Sequence, residues 1–525
     1  MAPTKNNWQK VLSVLNKAIS LYHNRKNKTV MSTQTPSRYQ KAVYTYVQVG
    51  KGNAVIDAVA GSGKSTTIVN ALKLIPSTQS VLFLAFNKAI VEELKIKVGN
   101  LPNVDVRTLH SLGASAIMKT FKSQIQGDKY TTYINNAVKY GAIRPNVSIS
   151  FEAQGQYRSN IAKLADLGRS SLCKSEYQLA DLAEKHDLDI VDNECAAAMQ
   201  VISWGESETN VIDFTDMIYF PNVKQLRMPK FDWVFIDECQ DLNSAQREMF
   251  LQCVKPVTGR FIAVGDPRQA IYGFAGADVE SFNLLKNTPH TAKMPLSICY
   301  RCDSSIIDLA KGIVPQILAR DNAPVGIVDR DAKTADIKDG DMVLCRVTAP
   351  LVSLCMKYIS EGTKAYVKGR DIGTNLINMI KKTNRKQIAD VQDVLSKELS
   401  RIIGKVIAKT SCTQAEAMES DMYKNYSDKL KVIDILSQGL TTVNEVISRI
   451  ETIFKDDNKN GICLSTIHKS KGLESDKVFI ICEDKMYLKH CMKIPWMAEQ
   501  ERNLVYVAYT RAKHYLGFVT DFKCE

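Results

Sequence analysis

No stretch of the 525 residues holds the roughly 18 consecutive apolar positions that a membrane-spanning helix needs, and no charged-then-apolar leader with a small-residue cleavage site opens the chain. A soluble, intracellular protein with no membrane partner is the expectation. No Asp or Glu occurs in the first 56 residues, which carry nine Lys or Arg. No second C-x-x-C pair accompanies Cys299 and Cys302 in "SICYRC", so a four-cysteine zinc site is not expected. The 13 cysteines are scattered through a large chain of intracellular character, where reduced thiols are the default, and His490 beside Cys491 is read as equally incidental. Internal repeats and low-complexity tracts are also missing, which excludes a solenoid.

What is present is apolar material for several cores, 45% of the residues, in a chain long enough for more than one domain. The formal charge of +13 points to a polyanionic partner, and much of the excess lies in the N-terminal arm. Across residues 1–30, Trp8, Val11, Leu12, Leu15, Ile19 and Tyr22 recur near helical spacing, giving a basic amphipathic helix. That arm reads as a nucleic-acid or partner-binding element or, equally, as a helix docked on the body with a solvated basic face. A transit peptide ranks third, because arginine and serine are not abundant.

Seven short apolar runs read as buried strands: "VLFLAF" from Val81, "WVFID" from Trp233, "RFIAVGD" from Arg260, "DMVLCRV" from Asp341, "ICLSTIH" from Ile462, "KVFIICE" from Lys477 and "YLGFVTD" from Tyr515. Helical patterns separate many of them, the arrangement of parallel α/β sheets whose ligands bind beyond the carboxyl ends of the strands. Residues 114–205 and 374–458 break this rhythm. Both are helical in pattern, poor in β-branched runs and nearly balanced in charge, so they read as helical insertions into two α/β domains.

"VIDAVAGSGKSTTIVNAL" places an apolar strand before Ala60-Gly61-Ser62-Gly63-Lys64-Ser65 and a helix after it. Such a loop turns backbone N–H groups and a helix N-terminus toward a β-phosphate, while Lys64 reaches the β and γ oxygens and Ser65 offers a hydroxyl to magnesium. Ala58 stands where the general pattern opens with glycine. A phosphate loop needs a metal carboxylate and a way to activate water, and "FDWVFIDECQD" provides Asp237 for magnesium and Glu238 to orient or deprotonate the attacking water. "AVGDPRQAIYGFAGA" adds Gln269 to sense the γ-phosphate, with Tyr272 and Phe274 as faces for bases. Arg301 in "PLSICYRCD" and Arg511 in "QERNLVYVAYTRAK" are candidates to meet charge on the transferring phosphoryl group.

The ordered set "SRYQKAV" with Gln40, "AGSGKST", "LAFNKAI", "TLHSLG", "IDECQD", "GDPRQAIYGFAGA", "YRC", "STIHKSKGLE" and "YVAYTRA" resembles superfamily 1 DNA helicases of the UvrD, Rep and PcrA group, with spellings nearest the F-box DNA helicase branch. The likeness covers nearly the whole chain except the arm and the two insertions. It implies an α/β fold of two RecA-like P-loop motor domains, each with a mainly helical insertion. Domain one would comprise residues 31–113 and 206–290, with 114–205 inserted; domain two would comprise 291–373 and 459–525, with 374–458 inserted.

ATP and Mg2+ are the implied cofactors. By resemblance, Gln40 reads the adenine edge, Thr66 lies beside the base and Tyr300 stacks on it. Glu474 accepts a hydrogen bond from the ribose. Single-stranded DNA would pass Phe86, Asn87, Thr108, His110, Tyr272, Phe274, Arg346, Thr466 and His468. Stacking and phosphate contact suit a track without sequence preference. Phe86 also has a reading as core, His110 as a helix cap and Arg346 as a surface residue. Phe274 replaces the usual Trp, Thr66 an Arg, and Ser475 an aromatic, while the second insertion is about half the size found in larger relatives.

The expected activity is ATP-dependent unwinding with 3′ to 5′ translocation, in replication, repair or recombination; the alternative is a translocase that remodels forks or strips proteins with little unwinding. Expected partners are single-stranded DNA, single-strand/duplex junctions and loading or replication proteins. The expected location is the cytoplasm of a bacterial or virus-infected cell, with nucleus and organelle left open.

Overall fold

The computed structural model describes residues 35–523 apart from residues 100, 147–150, 187, 189, 191–192, 274–279, 411, 455–459 and 489–490. The basic arm over 1–30, Phe274 and His490 lie outside the described residues. The chain divides into two compact units, one running to Ala58 and from Gly63 to Ser297, the other combining Val59–Ser62 with Ile298–Glu525.

The first unit is built on six parallel strands: β1 Asn53–Ala58, β2 Val81–Ala85, β3 Val104–Thr108, β4 Trp233–Ile236, β5 Arg260–Gly265 and β6 Thr291–Leu296, in the order β3-β2-β4-β5-β1-β6. Strand side chains alternate between faces, and both faces are covered. Val55, Leu82, Leu84, Val234 and Ile236 enter one core with the helical insertion, whereas Ala54, Ile56, Phe83 and Phe235 enter another on the opposite face.

The insertion contains helices Lys129–Lys139, Phe151–Ser170, Glu176–Lys185 and Glu194–Ser207. Its buried charges are paired, as burial demands: Arg169 meets Asp213 and Asp216 at 2.8 Å, and Lys129 meets Asp216 at 2.8 Å. Strand β6 corrects the expected domain boundary at 290/291. Thr291–Leu296 pairs with β1 throughout and so completes the first sheet, and the units part after Ser297. Only Leu296 of that strand is buried, so it has no apolar run to mark it.

The second unit repeats the plan with β7 Ile327–Ala332, β8 Met342–Cys345, β9 Ala365–Val367, β10 Ile462–Thr466, β11 Ser475–Ile480 and β12 Ala512–Val519, ordered β7-β12-β11-β8-β10-β9 and all parallel. Helices Arg370–Lys382, Ile388–Thr410, Gln414–Met418, Asp421–Ser437 and Val443–Ile453 occupy the second insertion. Val391, Leu395, Ile433, Val446 and Ile450 from these helices share one core with Val343 and Leu464 of the sheet. The Asp428 carboxylate accepts the backbone N–H groups of Thr348 at 3.1 Å and Ala349 at 3.0 Å, so the insertion provides the N-terminal cap of helix Ala349–Ser360. No described helix is long and apolar enough to cross a membrane.

Candidate functional site

Strand β1 ends at Ala58, and helix Lys64–Leu72 begins after Gly63, whose φ of 75° lies in the left-handed region that favours glycine. Its exposed amide end is a ready anion site. The Thr67 hydroxyl donates to Gly63 O at 2.8 Å and accepts from Gln40 Nε2 at 3.1 Å, which ties helix Arg38–Val49 to the loop. Gln40 Oε1 accepts the Ser37 N–H at 2.9 Å in a capping box, so the proposed adenine reader is built into its own helix start. Thr66 is exposed.

Lys64 Nζ lies 2.9 Å from Glu238 Oε1 and donates to Oε2 at 3.1 Å. Burial works against its charge, but Glu238, Asp237 and Asp266 outweigh it and hold the ammonium above its ordinary pKa. Asp237, the residue after β4, accepts the Ser65 hydroxyl at 3.4 Å. Burial, reinforced by Glu238, pushes its pKa up to about 6 against the opposing pull of Lys64. Gln269 Nε2 donates to Asp266 Oδ2 at 2.8 Å, and Arg268 NH1 meets Asp57 at 2.6 Å. Gln240, given no role from the sequence, lies between these groups. Its signal was its place two residues after Glu238 in "IDECQD".

These residues fit a magnesium nucleotide. Magnesium takes hard oxygen ligands and commonly one or two from protein, the rest coming from phosphates and water. Ser65 and Asp237 are such a pair, and the buried Ser62 Oγ in the loop has no hydrogen-bond partner within the protein. Among the described residues there is no cluster of three or more His, Cys, Asp or Glu that would hold a metal without phosphates.

The nucleic-acid candidates of the first unit gather at the carboxyl ends of adjacent strands. Ala85 of β2 is in register with Thr108 of β3, so Phe86-Asn87 and Thr108-Leu109-His110 leave the sheet side by side. Asn87 caps helix Lys88–Val98 through Ile90 N–H at 2.9 Å, and Thr108 caps helix Leu109–Phe121 through Ser111 N–H at 3.1 Å. Thr108, not His110, is therefore the cap of its helix. Phe86 is 46% exposed, so it does not serve as core. Burial holds the His110 pKa below its ordinary value. A narrow cavity is lined by Phe86 and His110 together with Asp237. Tyr272 is half-buried, beside the fully buried Ile271.

In the second unit, Arg301 Nε donates to Glu474 Oε2 at 2.7 Å, and its NH1 donates to Thr510 O at 3.1 Å. Lys513 meets the other Glu474 oxygen at 3.3 Å. Partial burial opposes ionisation of Glu474, but Arg301 and Lys513 outweigh it and depress its pKa. Arg511 is buried and donates to Val507 O at 2.9 Å and Leu473 O at 3.0 Å, fastening "YTRA" to "KGLE". Tyr300 O accepts from Arg320 at 2.7 Å.

Thr466, buried at the end of β10, accepts the Lys469 N–H at 3.3 Å. Burial, then Arg346, Lys469 and Lys471, drive the His468 pKa down to about 3, so His468 is neutral at physiological pH. Arg346 is engaged by Glu501, with NH2 2.7 Å from Oε1 and Nε 3.3 Å from Oε2. That bidentate pair gives Arg346 a structural partner that the sequence did not reveal.

The profile of the UvrD/REP helicase N-terminal domain matches residues 39–290, and that of the UvrD-like helicase C-terminal domain matches residues 374–521. The chain belongs to the UvrD/Rep helicase family. This UvrD-type helicase is 23% identical to F-box DNA helicase 1 of Gallus gallus over 89% of its own length and 47% of that protein's, so it spans about half of that relative. It is 22% identical to a probable DNA helicase II homolog of Mycoplasma pneumoniae, covering 94% of the chain and 85% of the relative. The ATP-dependent DNA helicase PcrA of Staphylococcus epidermidis is 21% identical over 90% of the chain and 82% of its own. The UvrD-type helicase is thus an enzyme of the DNA-helicase class with two RecA-like domains.

Proposed function

We propose that this helicase hydrolyses ATP to move 3′ to 5′ along single-stranded DNA and to open duplex at a single-strand/duplex junction. The observation that supports the reading is a narrow cavity lined by Phe86 and His110 together with Asp237. In this reading the DNA track and the metal carboxylate line one cavity, a route by which a change at one would reach the other.

In this reading the loop amides and Lys64 bind the β- and γ-phosphates, with Ala60, Gly61, Ser62 and Gly63 forming the cradle. Lys64 leaves Glu238 to do so, which frees that carboxylate to orient water and take its proton. Bound magnesium, held by Ser65 and Asp237, would neutralise charge on the β- and γ-oxygens. Gln269 senses the γ-phosphate, Gln40, Thr66 and Tyr300 flank the base, and Glu474 receives the ribose. Arg301 and Arg511 meet charge on the transferring group. On the track, Phe86, Tyr272 and Phe274 stack on bases, while Asn87, Thr108, His110, Arg346, Thr466 and His468 follow the backbone. Helix N-termini beside Asn87 and Thr108 suit phosphates whatever the base sequence.

Strand displacement on duplexes with 3′ or 5′ tails tests the proposal. Displacement from the 3′ tail alone is expected. Displacement from the 5′ tail overturns the polarity, and DNA-stimulated ATP turnover without displacement favours a translocase that remodels forks.

A further inference from the structure

We infer that Gln240 is a positioning residue that holds Glu238 in place and couples it to Gln269. The inference rests on the reading of Glu238 as the group that orients water. Gln240 is 1% exposed and its carboxamide is fully used. Nε2 donates to Glu238 Oε2 at 2.6 Å and to Asp241 Oδ2 at 3.3 Å, while Oε1 accepts the Asp266 N–H at 3.0 Å. Carboxylates only accept and a backbone N–H only donates, so the amide cannot flip. Asp266 in turn accepts from Gln269 Nε2 at 2.8 Å, which completes a buried path from the water-orienting carboxylate to the γ-phosphate sensor.

Two further features point the same way. Glu238 has a φ of 53°, an unfavourable left-handed conformation for a residue with a side chain, which persists only where the surrounding structure fixes it. Lys64, which also holds Glu238, must turn to the phosphates when nucleotide binds. Gln240 does not depend on nucleotide and keeps Glu238 aimed after Lys64 leaves. Gly265, at the end of β5, makes the arrangement possible: a Cβ there would stand 2.4 Å from Gln240 Oε1 and 2.9 Å from Cys239 Sγ.

The test is steady-state ATP turnover at saturating single-stranded DNA for the full chain, its Gln240→Glu, Gln269→Ala, Gly265→Ala and Glu238→Gln variants, and Gln240→Glu combined with Gln269→Ala. Gln240→Glu keeps the shape and the acceptor toward Asp266 but loses both donors; Gly265→Ala displaces the carboxamide without altering a polar group. For both, kcat is expected to fall about 10- to 100-fold with KM for ATP changed by less than about twofold. The double variant should lose less than the product of the two single effects, because both act through Asp266. Unchanged kcat in both variants, or KM rising in step with the loss, overturns the inference. Should Gln240→Glu not fold, the apolar isostere Gln240→Met carries the same expectation. Turnover that survives Glu238→Gln would instead remove the reading on which the inference stands.

Discussion

Lys64 and Glu238 neutralise each other: Nζ lies 2.9 Å from Oε1, with both side chains mostly buried. The proposed phosphate-binding cation and the proposed water-orienting carboxylate are thus paired with each other. Breaking such a pair from one side leaves a charge stranded, whereas Gln at 238 can still accept from the ammonium. Lys64→Ala should therefore lower stability by about 1–3 kcal/mol and Glu238→Gln by less. ATP turnover should be lost in both, by about 10²-fold or more, with ATP binding kept only in Glu238→Gln. Thermal melting and equilibrium nucleotide titration check the two halves.

Asp237 predicts a pH dependence. Its folded pKa, about 6, lies above the ordinary 3.8. Its contribution to stability is therefore fully present below about 3.8 and lost as pH rises through about 6. At pH 8, where the buried carboxylate is ionised, Asp237→Asn should raise stability of the ligand-free protein by about 1–3 kcal/mol while abolishing turnover. The gain should vanish near pH 4. Because a metal requires the ionised form, KM for magnesium-ATP in the unsubstituted protein should rise as pH falls through about 6.

Arg346 separates a structural role from a DNA role. Its partner Glu501 is 2% exposed and also accepts the Leu488 N–H at 3.1 Å. Arg346→Ala strands that carboxylate and should cost about 3–5 kcal/mol of stability in the second unit. If the pair is the whole role, the salt dependence of DNA binding stays as it was. A slope reduced by about one shows that Arg346 also neutralises a phosphate.

Phe86 makes the opposite prediction. Being half-exposed beyond β2, it contributes little to the core. Phe86→Ala should leave the melting temperature nearly unchanged while weakening single-stranded DNA binding by about 1–3 kcal/mol, whatever the base sequence. A large fall in melting temperature with DNA affinity intact would return Phe86 to the core.

Burial explains which strands could be read in the sequence. The seven apolar runs from Val81, Trp233, Arg260, Asp341, Ile462, Lys477 and Tyr515 all fall on strands, as does the run before the phosphate loop. The four longer strands without such runs, Val104–Thr108, Thr291–Leu296, Ile327–Ala332 and Ala365–Val367, are the four edges of the two sheets. An edge strand has one free side and often one wet face, so residues such as Arg107, Lys293 and Asp329 break its apolar signal.

The candidate site divides in a similar way. Lys64, Asp237, Glu238 and Gln269 were legible because each lies beside a central strand or in a glycine-rich turn. Pairings between distant segments were not. Nothing local in "DMVLCRV" announces Glu501, and nothing in "KGLE" announces that Glu474 will be held by Arg301. Gln240 stood in the marked "IDECQD" motif, but the partners of its carboxamide could not be read there, since they come from both its own loop and the turn after β5.

Strand β1 lies between β5 and β6, so the segment that launches the phosphate loop has no sheet neighbour until the ribosome has made Arg260–Gly265, and lacks its second until Thr291–Leu296. A nascent chain stopped before β5 carries an apolar central strand with both edges open, a template for aggregation. Assembly of the candidate nucleotide site therefore waits for the middle of the chain, and the large sequence separation of its pairings favours slow folding. Fragments ending before β5 should be insoluble, and production of this enzyme should respond to chaperones that shield long nascent segments.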